Sequence, residues 1–151
     1  MEKRFTLDPL LSLRQLRVEL AQAELATSER ALAQQLERVA ILLAIEEEAM
    51  DVLEHVLSGD PIILADVREQ QFRLVEARAA LQSAKATAAE LHEQVESRRQ
   101  ATVAAQKDKK ALARLKERRA EIETKNERTA EAKRNDEVAM MQSALRRRDL
   151  K

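Results

Sequence analysis

The chain has 151 residues, enough for one domain, with one Gly, two Pro, two Phe and no Trp, Tyr or Cys. Charged residues make up 36%, balanced at 27 basic and 27 acidic. Two aromatic side chains are too few for a compact globular core, the balance of charge argues against a general nucleic-acid binder, and no disulfide can form. The dominant residues are Ala, Leu, Glu, Arg, Lys and Gln, the better helix formers. With a seven-residue period this composition reads as an all-α, long two-helix antiparallel coiled-coil hairpin, its C-terminal helix overhanging, in a single domain over 1–151. The N-terminal stretch has no apolar segment of signal-peptide length, and no run approaches a membrane span, so the expected location is cytosolic.

The first helix is expected at about 9–57. Asp8 is placed to cap it, with Pro9 at the first helical position, where a missing N–H costs nothing. Leu11, Val18, Leu25, Leu32, Val39 and Leu53 recur in steps of seven, with Glu46 the polar member. From Leu36 a second row joins them, made of Leu36, Leu43, Met50 and Leu57. A turn follows at about 58–65, where the lone glycine, Gly59, is expected to close the helix in a left-handed conformation. Asp60 and Pro61 repeat the Asp8–Pro9 start, and Asp66 with Glu69 offers a second capping pattern. The second helix is expected from about 66 to 146. One row is Val67, Leu74, Leu81, Ala88 and Val95; the other is Gln70, Ala77, Ala84, Leu91, Arg98, Ala105 and Leu112.

A hairpin within one chain competes with a parallel dimer of a long broken rod, and the register favours the hairpin. If facing positions sum to 123 or 124, Leu57 meets Val67, Met50 meets Leu74, Leu43 meets Leu81, Leu32 meets Leu91 and Leu11 meets Leu112. Glu46 faces Ala77. Val39 faces Ala84, which lets the backbones approach in the middle. Arg98 opposite Leu25 is a blemish that its aliphatic stem can cover. This pairing ends near residue 117, and seam positions give out at Leu115 and Ile122. Beyond lies a polar arm of roughly 25–30 residues, held by helix propensity and pairs such as Glu121–Lys125, and expected to fray alone. Its end regains a stripe, Val138, Met141 and Leu145, before the basic run at 146–148.

No catalytic, cofactor-binding or metal-binding set is present in the sequence. His55 and His92 stand far apart and read as solvated. Glu46, Glu47 and Glu48 have no metal-ligating neighbour, and one glycine cannot make a phosphate-binding loop. The basic run at 146–148 suits an acidic partner as well as a solvated tail. One feature exceeds this background. Ile41, Leu42, Ile45, Phe72 and Val75 fall outside the expected facing rows near the turn. A two-helix hairpin has no third layer to cover them, so an exposed patch of the kind that marks partner sites is expected there, with a wider seam or dimer packing as the alternative.

"RFTLDPLLSLRQLRVELAQAELA", the turn "SGDPI", "QQF" early in the second helix and the run ending "AKRNDEVA" together resemble the FliJ family of flagellar type III export proteins, related to the YscO class of injectisome stalk proteins. The resemblance covers nearly the whole chain. It implies an antiparallel coiled coil similar to the stalk of rotary ATPases. It also implies three partners: an export ATPase hexamer, the cytosolic domain of an export gate, and export chaperones. By position, the gate contact falls on Leu42, Ile45, Ala49, Phe72 and Ala79, with Glu76 and Ser83 at two further family positions that are commonly apolar or bulkier. The ATPase ring takes the arm, through Val138, Met141, Leu145, Arg146 and Arg147. The resemblance further implies a non-enzymatic monomer, peripheral to the cytoplasmic face of the inner membrane through its partners.

Three other readings stand beside this one. A YscO-like injectisome stalk shares the architecture. A self-associating scaffold predicts a concentration-dependent dimer with no hairpin. An efflux-adaptor hairpin lacks its β-rich domains and secretory signal here.

Overall fold

The computed structural model describes residues 7–150; Arg4, Phe5 and Thr6 of the N-terminal stretch quoted above, and Lys151, lie outside them. Two helices account for most of the described residues, α1 over Asp8–Leu57 and α2 over Leu64–Asp149, and no strand occurs among those residues. Two compact units divide the chain: Leu16–Ala105, and Met1–Gln15 together with Gln106–Lys151.

At the turn, the helix ends differ from expectation. Gly59 does not adopt a left-handed conformation. Ser58 closes α1 instead. Its N–H donates to the Glu54 carbonyl at 3.1 Å, and its hydroxyl lies 2.9 Å from that oxygen and 3.1 Å from the His55 carbonyl. A hydroxyl that reaches the last carbonyls satisfies acceptors the helix leaves open, so no special backbone is required. Pro61 does not begin α2 either. The Ile63 carbonyl accepts the N–H groups of both Asp66, at 3.1 Å, and Val67, at 3.2 Å, so the helical ladder begins there and α2 starts at Leu64. Asp66 then sits in the first turn, where its charge suits the helix dipole.

In the unit Leu16–Ala105 the seam runs along two rows of α2. Val67, Leu74, Leu81, Ala88 and Val95 are buried as their spacing predicts, and Val95, 1% exposed, is the deepest. The row continues at Thr102, whose hydroxyl donates to the Arg98 carbonyl at 2.9 Å and so enters the seam satisfied. Ala77 and Ala84 are buried in the second row, with Leu91 half-buried. On α1, Val18 is buried and Leu25, Leu32, Val39, Glu46 and Leu53 are half-buried.

The second row of α1 is not the expected one. Leu36, Leu43, Met50 and Leu57 are all exposed, between 41% and 52%. The half-buried row is Ala21, Ser28, Gln35, Leu42, Ala49 and Val56, again in steps of seven. Adjacent residues point about 100° apart on a helix, so Leu42 and Leu43 cannot both face a narrow seam. Choosing the smaller row sets Ala21, Ser28 and Ala49 toward a helix that offers Ala77, Ala84 and Ala88. Small against small lets the backbones approach and gains dispersion contacts along their length. Gln35 shows how close they come: its amide donates to the Ala84 main-chain carbonyl at 3.0 Å.

Polar ties fix the antiparallel register. Arg78 Nε donates to Glu46 Oε1 at 3.0 Å, and Arg99 Nη2 lies 3.4 Å from Glu29 Oε1. Arg98, expected as a flaw opposite Leu25, is exposed and holds the neighbouring Glu24 carboxylate. Residue numbers sum to 124 for Glu46 with Arg78, to 122 for Glu24 with Arg98 and to 128 for Glu29 with Arg99, within about one helical turn of the expected 123 or 124.

In the other unit, the start of α1 runs beside α2. Arg14 Nη1 lies 3.5 Å from Asp108 Oδ2, and Lys116 Nζ lies 2.8 Å from Asp8 Oδ1. Asp8 is thus a first-turn residue of α1 rather than its cap, and the ladder reaches back to Leu7, whose carbonyl accepts the Leu11 N–H at 2.8 Å. Leu112 and Ala113 are half-buried, and from Arg114 to Leu150 every residue is exposed. Leu115 and Ile122, expected at the seam's end, are among the exposed. The helix nonetheless continues to Asp149, past the expected end at 146. Thr124 and Thr129 return their hydroxyls to the carbonyls of Ala120 and Lys125 at 2.9 and 2.8 Å. Arg146, Arg147 and Arg148 occupy the last turn, where cations suit the dipole.

Candidate partner-binding surfaces

Near the turn, on one flank of the seam, lies a shallow groove of about 490 Å³. Leu42, Ile45, Ala49 and Val52 of α1 form one wall; Gln70, Ala77 and Ala80 of α2 form the other. Glu48, Arg73 and Glu76 supply charge along it. Arg73 is held in place by Glu69 one turn earlier, at 2.7 Å. The floor exists because the seam rows are small there: Ala49 and Ala77 leave space that a Leu pair would fill. The arrangement can accept an apolar side chain from a partner and fix its direction with charge on the rim.

Of the residues expected at a gate contact, Leu42, Ile45 and Ala49 come together in this groove. Leu42 is a half-buried seam member rather than an off-seam residue, because the seam uses its row, which also holds the half-buried Ala49. Ile45 is exposed on the wall. Phe72 and Ala79 are not brought into it. With Val75 they occupy one exposed face of α2 at a spacing of three and seven, and Phe72 is 64% exposed. Val52 and Ala80 line the groove as well, outside the expected contact. The signal for Val52 was present, since it stands seven residues after Ile45. Ile62, Ile63 and Leu64, also outside the expected contact, are exposed at the turn.

On the arm, Val138, Met141 and Leu145 are exposed, as are Arg146 and Arg147. Beside them Asp136, Ala139, Met140, Ser143, Ala144 and Arg147 line a second shallow depression. Met140 and Ala144 were missed; their spacing of four was the available sign. Arg147 stands at the basic end of that depression, next to thioether and methyl groups, a pairing suited to an acidic side chain on an apolar support.

His55 and His92 are exposed. Among the described residues no group of three or more His, Cys, Asp or Glu is placed to share a metal ion, and no helix is long and apolar enough to cross a membrane.

Compared with models of protein families, residues 3–148 match the model described as "Flagellar FliJ protein". Comparison with curated proteins and with solved structures gives no match.

Proposed function

This chain belongs to the flagellar FliJ protein family, and is on that ground a component of the flagellar export apparatus; from that premise we propose that it is a stalk-like coiled coil linking the export ATPase ring to the export gate. The observation that carries this reading is the apolar groove of Leu42, Ile45, Ala49 and Val52 against Ala77 and Ala80. The cytosolic domain of the gate inserts an apolar side chain there, and the exposed Phe72 and Ala79 extend the contact around α2. Burying such a surface contributes about 25 cal/mol per Å² of apolar area removed from water, offset by the cost of ordering both partners.

The arm serves the ring. A hexamer's central channel has to pass or turn against whatever enters it, and a largely polar helix does so without sticking. Val138, Met141 and Leu145 seat the tip, and Arg146 and Arg147 meet carboxylates of the ATPase. The chain also assists export chaperones, works as a monomer, hydrolyses nothing itself, and is held at the cytoplasmic face of the inner membrane by its partners.

Ile45→Ser combined with Val52→Ser tests the gate contact. Both side chains are exposed, so helicity measured by circular dichroism is retained while calorimetric binding to the purified cytosolic gate domain is lost. Unchanged binding with intact helices would remove the groove from the function.

A further inference from the structure

The other flank of the seam carries a feature that the groove does not use. Leu36, Leu43, Met50 and Leu57 form a straight apolar row on α1, every member exposed. The unit Leu16–Ala105 leaves each of them 41–52% exposed, and the four large side chains stand in the steps of seven that a helix needs to lay a stripe against another. The charge beside the row is one-sided. Between Arg38 and Arg68 the chain contains no Lys or Arg, yet it contains Glu46, Glu47, Glu48, Asp51, Glu54, Asp60 and Asp66, in a protein of zero net charge. Glu46 is taken by Arg78 from α2. Glu47 and Glu54 follow the row along its outer edge, each four residues from a member of it, and Asp51 lies one step further round. All three are exposed, and none makes an ion pair with another described residue. Glu47 and Asp51 stand four apart, the spacing at which like charges on a helix repel. Helix geometry places Gln71, the already engaged Arg78, Gln82 and Lys85 of α2 on this flank, with Arg68 further round.

An apolar stripe edged by unpaired carboxylates has one complementary occupant. We propose that the Leu36–Leu43–Met50–Leu57 row is a docking face for a basic amphipathic helix of another protein. Its apolar positions pack on the row, and its Lys or Arg side chains meet Glu47, Asp51 and Glu54. This is recognition of a helix laid along an apolar surface, with charge setting its orientation and its rate of encounter. The face is separate from the groove, so it adds a contact rather than renaming the gate site.

A fluorescein-labelled helical peptide with leucines in heptad spacing and lysines on the flanks is titrated with the full chain and read by anisotropy, next to the same peptide with glutamate for lysine. The lysine peptide binds and the glutamate peptide does not. Leu43→Ser with Met50→Ser weakens binding by about tenfold or more, as loss of a central apolar anchor does. Glu47→Lys with Glu54→Lys does the same and admits the glutamate peptide. Ile45→Ser with Val52→Ser, in the groove, leaves the affinity unchanged while gate binding falls, which separates the two surfaces. Circular dichroism of each variant shows the helices intact. The proposal is overturned by equal binding of the two peptides, by no binding, or by binding indifferent to Leu43 and Met50. It is also overturned by sedimentation showing that the free chain pairs with itself and that Leu43→Ser dissolves the pair, since a second copy then covers the row.

Discussion

Gln35 of α1 reaches across the seam to the main chain of α2, its amide donating to the Ala84 carbonyl at 3.0 Å. A side chain can bond the opposite backbone only where nothing bulky stands between, and Ala84 supplies that gap. Ala84→Leu fills it. Overpacking of this kind costs about 1–3 kcal/mol, and here it also breaks the Gln35 bond. Thermal denaturation is expected to show a clear drop in midpoint for Ala84→Leu and a smaller one for Gln35→Ala.

Two adjacent leucines distinguish the observed seam from its alternative. Leu42 is half-buried and lines the groove, whereas Leu43 is exposed. Leu42→Ala is therefore expected to destabilise more than Leu43→Ala, and Val95→Ala more than Leu43→Ala, by about 1–2 kcal/mol given the methyl groups removed from a closed site. Urea denaturation of the three variants checks the order. A larger loss at Leu43 would restore the other row to the seam.

Gly59 carries no positive φ, and an added methyl group would meet the Val56 carbonyl at 3.4 Å, an ordinary contact. Gly59→Ala is thus expected to be neutral or stabilising by up to about 1 kcal/mol, through a less flexible unfolded chain. A chemical-denaturation midpoint that falls would show that the turn needs glycine after all.

Arg98 and Glu24 form an exposed cross-helix pair. Exposed pairs are worth about 0–1 kcal/mol and weaken with salt. A double-mutant cycle using Arg98→Ala and Glu24→Ala is expected to give a coupling in that range at low ionic strength and near zero in 1 M salt.

The core row of α2 could be read directly from the sequence because Val67, Leu74, Leu81 and Val95 are apolar at an unbroken period. The partner row on α1 could not. Leu36, Leu43 and Met50 outrank Gln35, Ser28 and Ala49 in hydrophobicity, and a rule that buries the greasier side chain selects them. A seam of two helices covers only a narrow strip, so closeness of approach decides, and that favours the smaller row. Thr102 was invisible for a related reason: it counts as polar until its hydroxyl is seen returned to its own helix. The groove was half legible. Ile45 showed itself as an apolar residue off the main row, but Ala77 and Ala80 contribute absence of bulk, which no hydrophobic pattern records.

The arm raises a separate expectation. Every described residue from Arg114 onward is exposed, so removing residues 125–151 takes away little buried surface. The truncated chain is expected to melt at the same temperature as the full chain while losing ATPase-ring binding in a pull-down.

The most direct test of the account is whether the two helices pair within one molecule. The chain has no Cys, so spin labels can be placed on cysteines introduced at Glu29 and Arg99, whose side chains approach to 3.4 Å. Labelled protein is diluted into excess unlabelled protein and its dipolar coupling measured. Strong coupling that survives dilution is the predicted result; coupling that is absent, or that vanishes on dilution, would contradict a hairpin closed within a single chain.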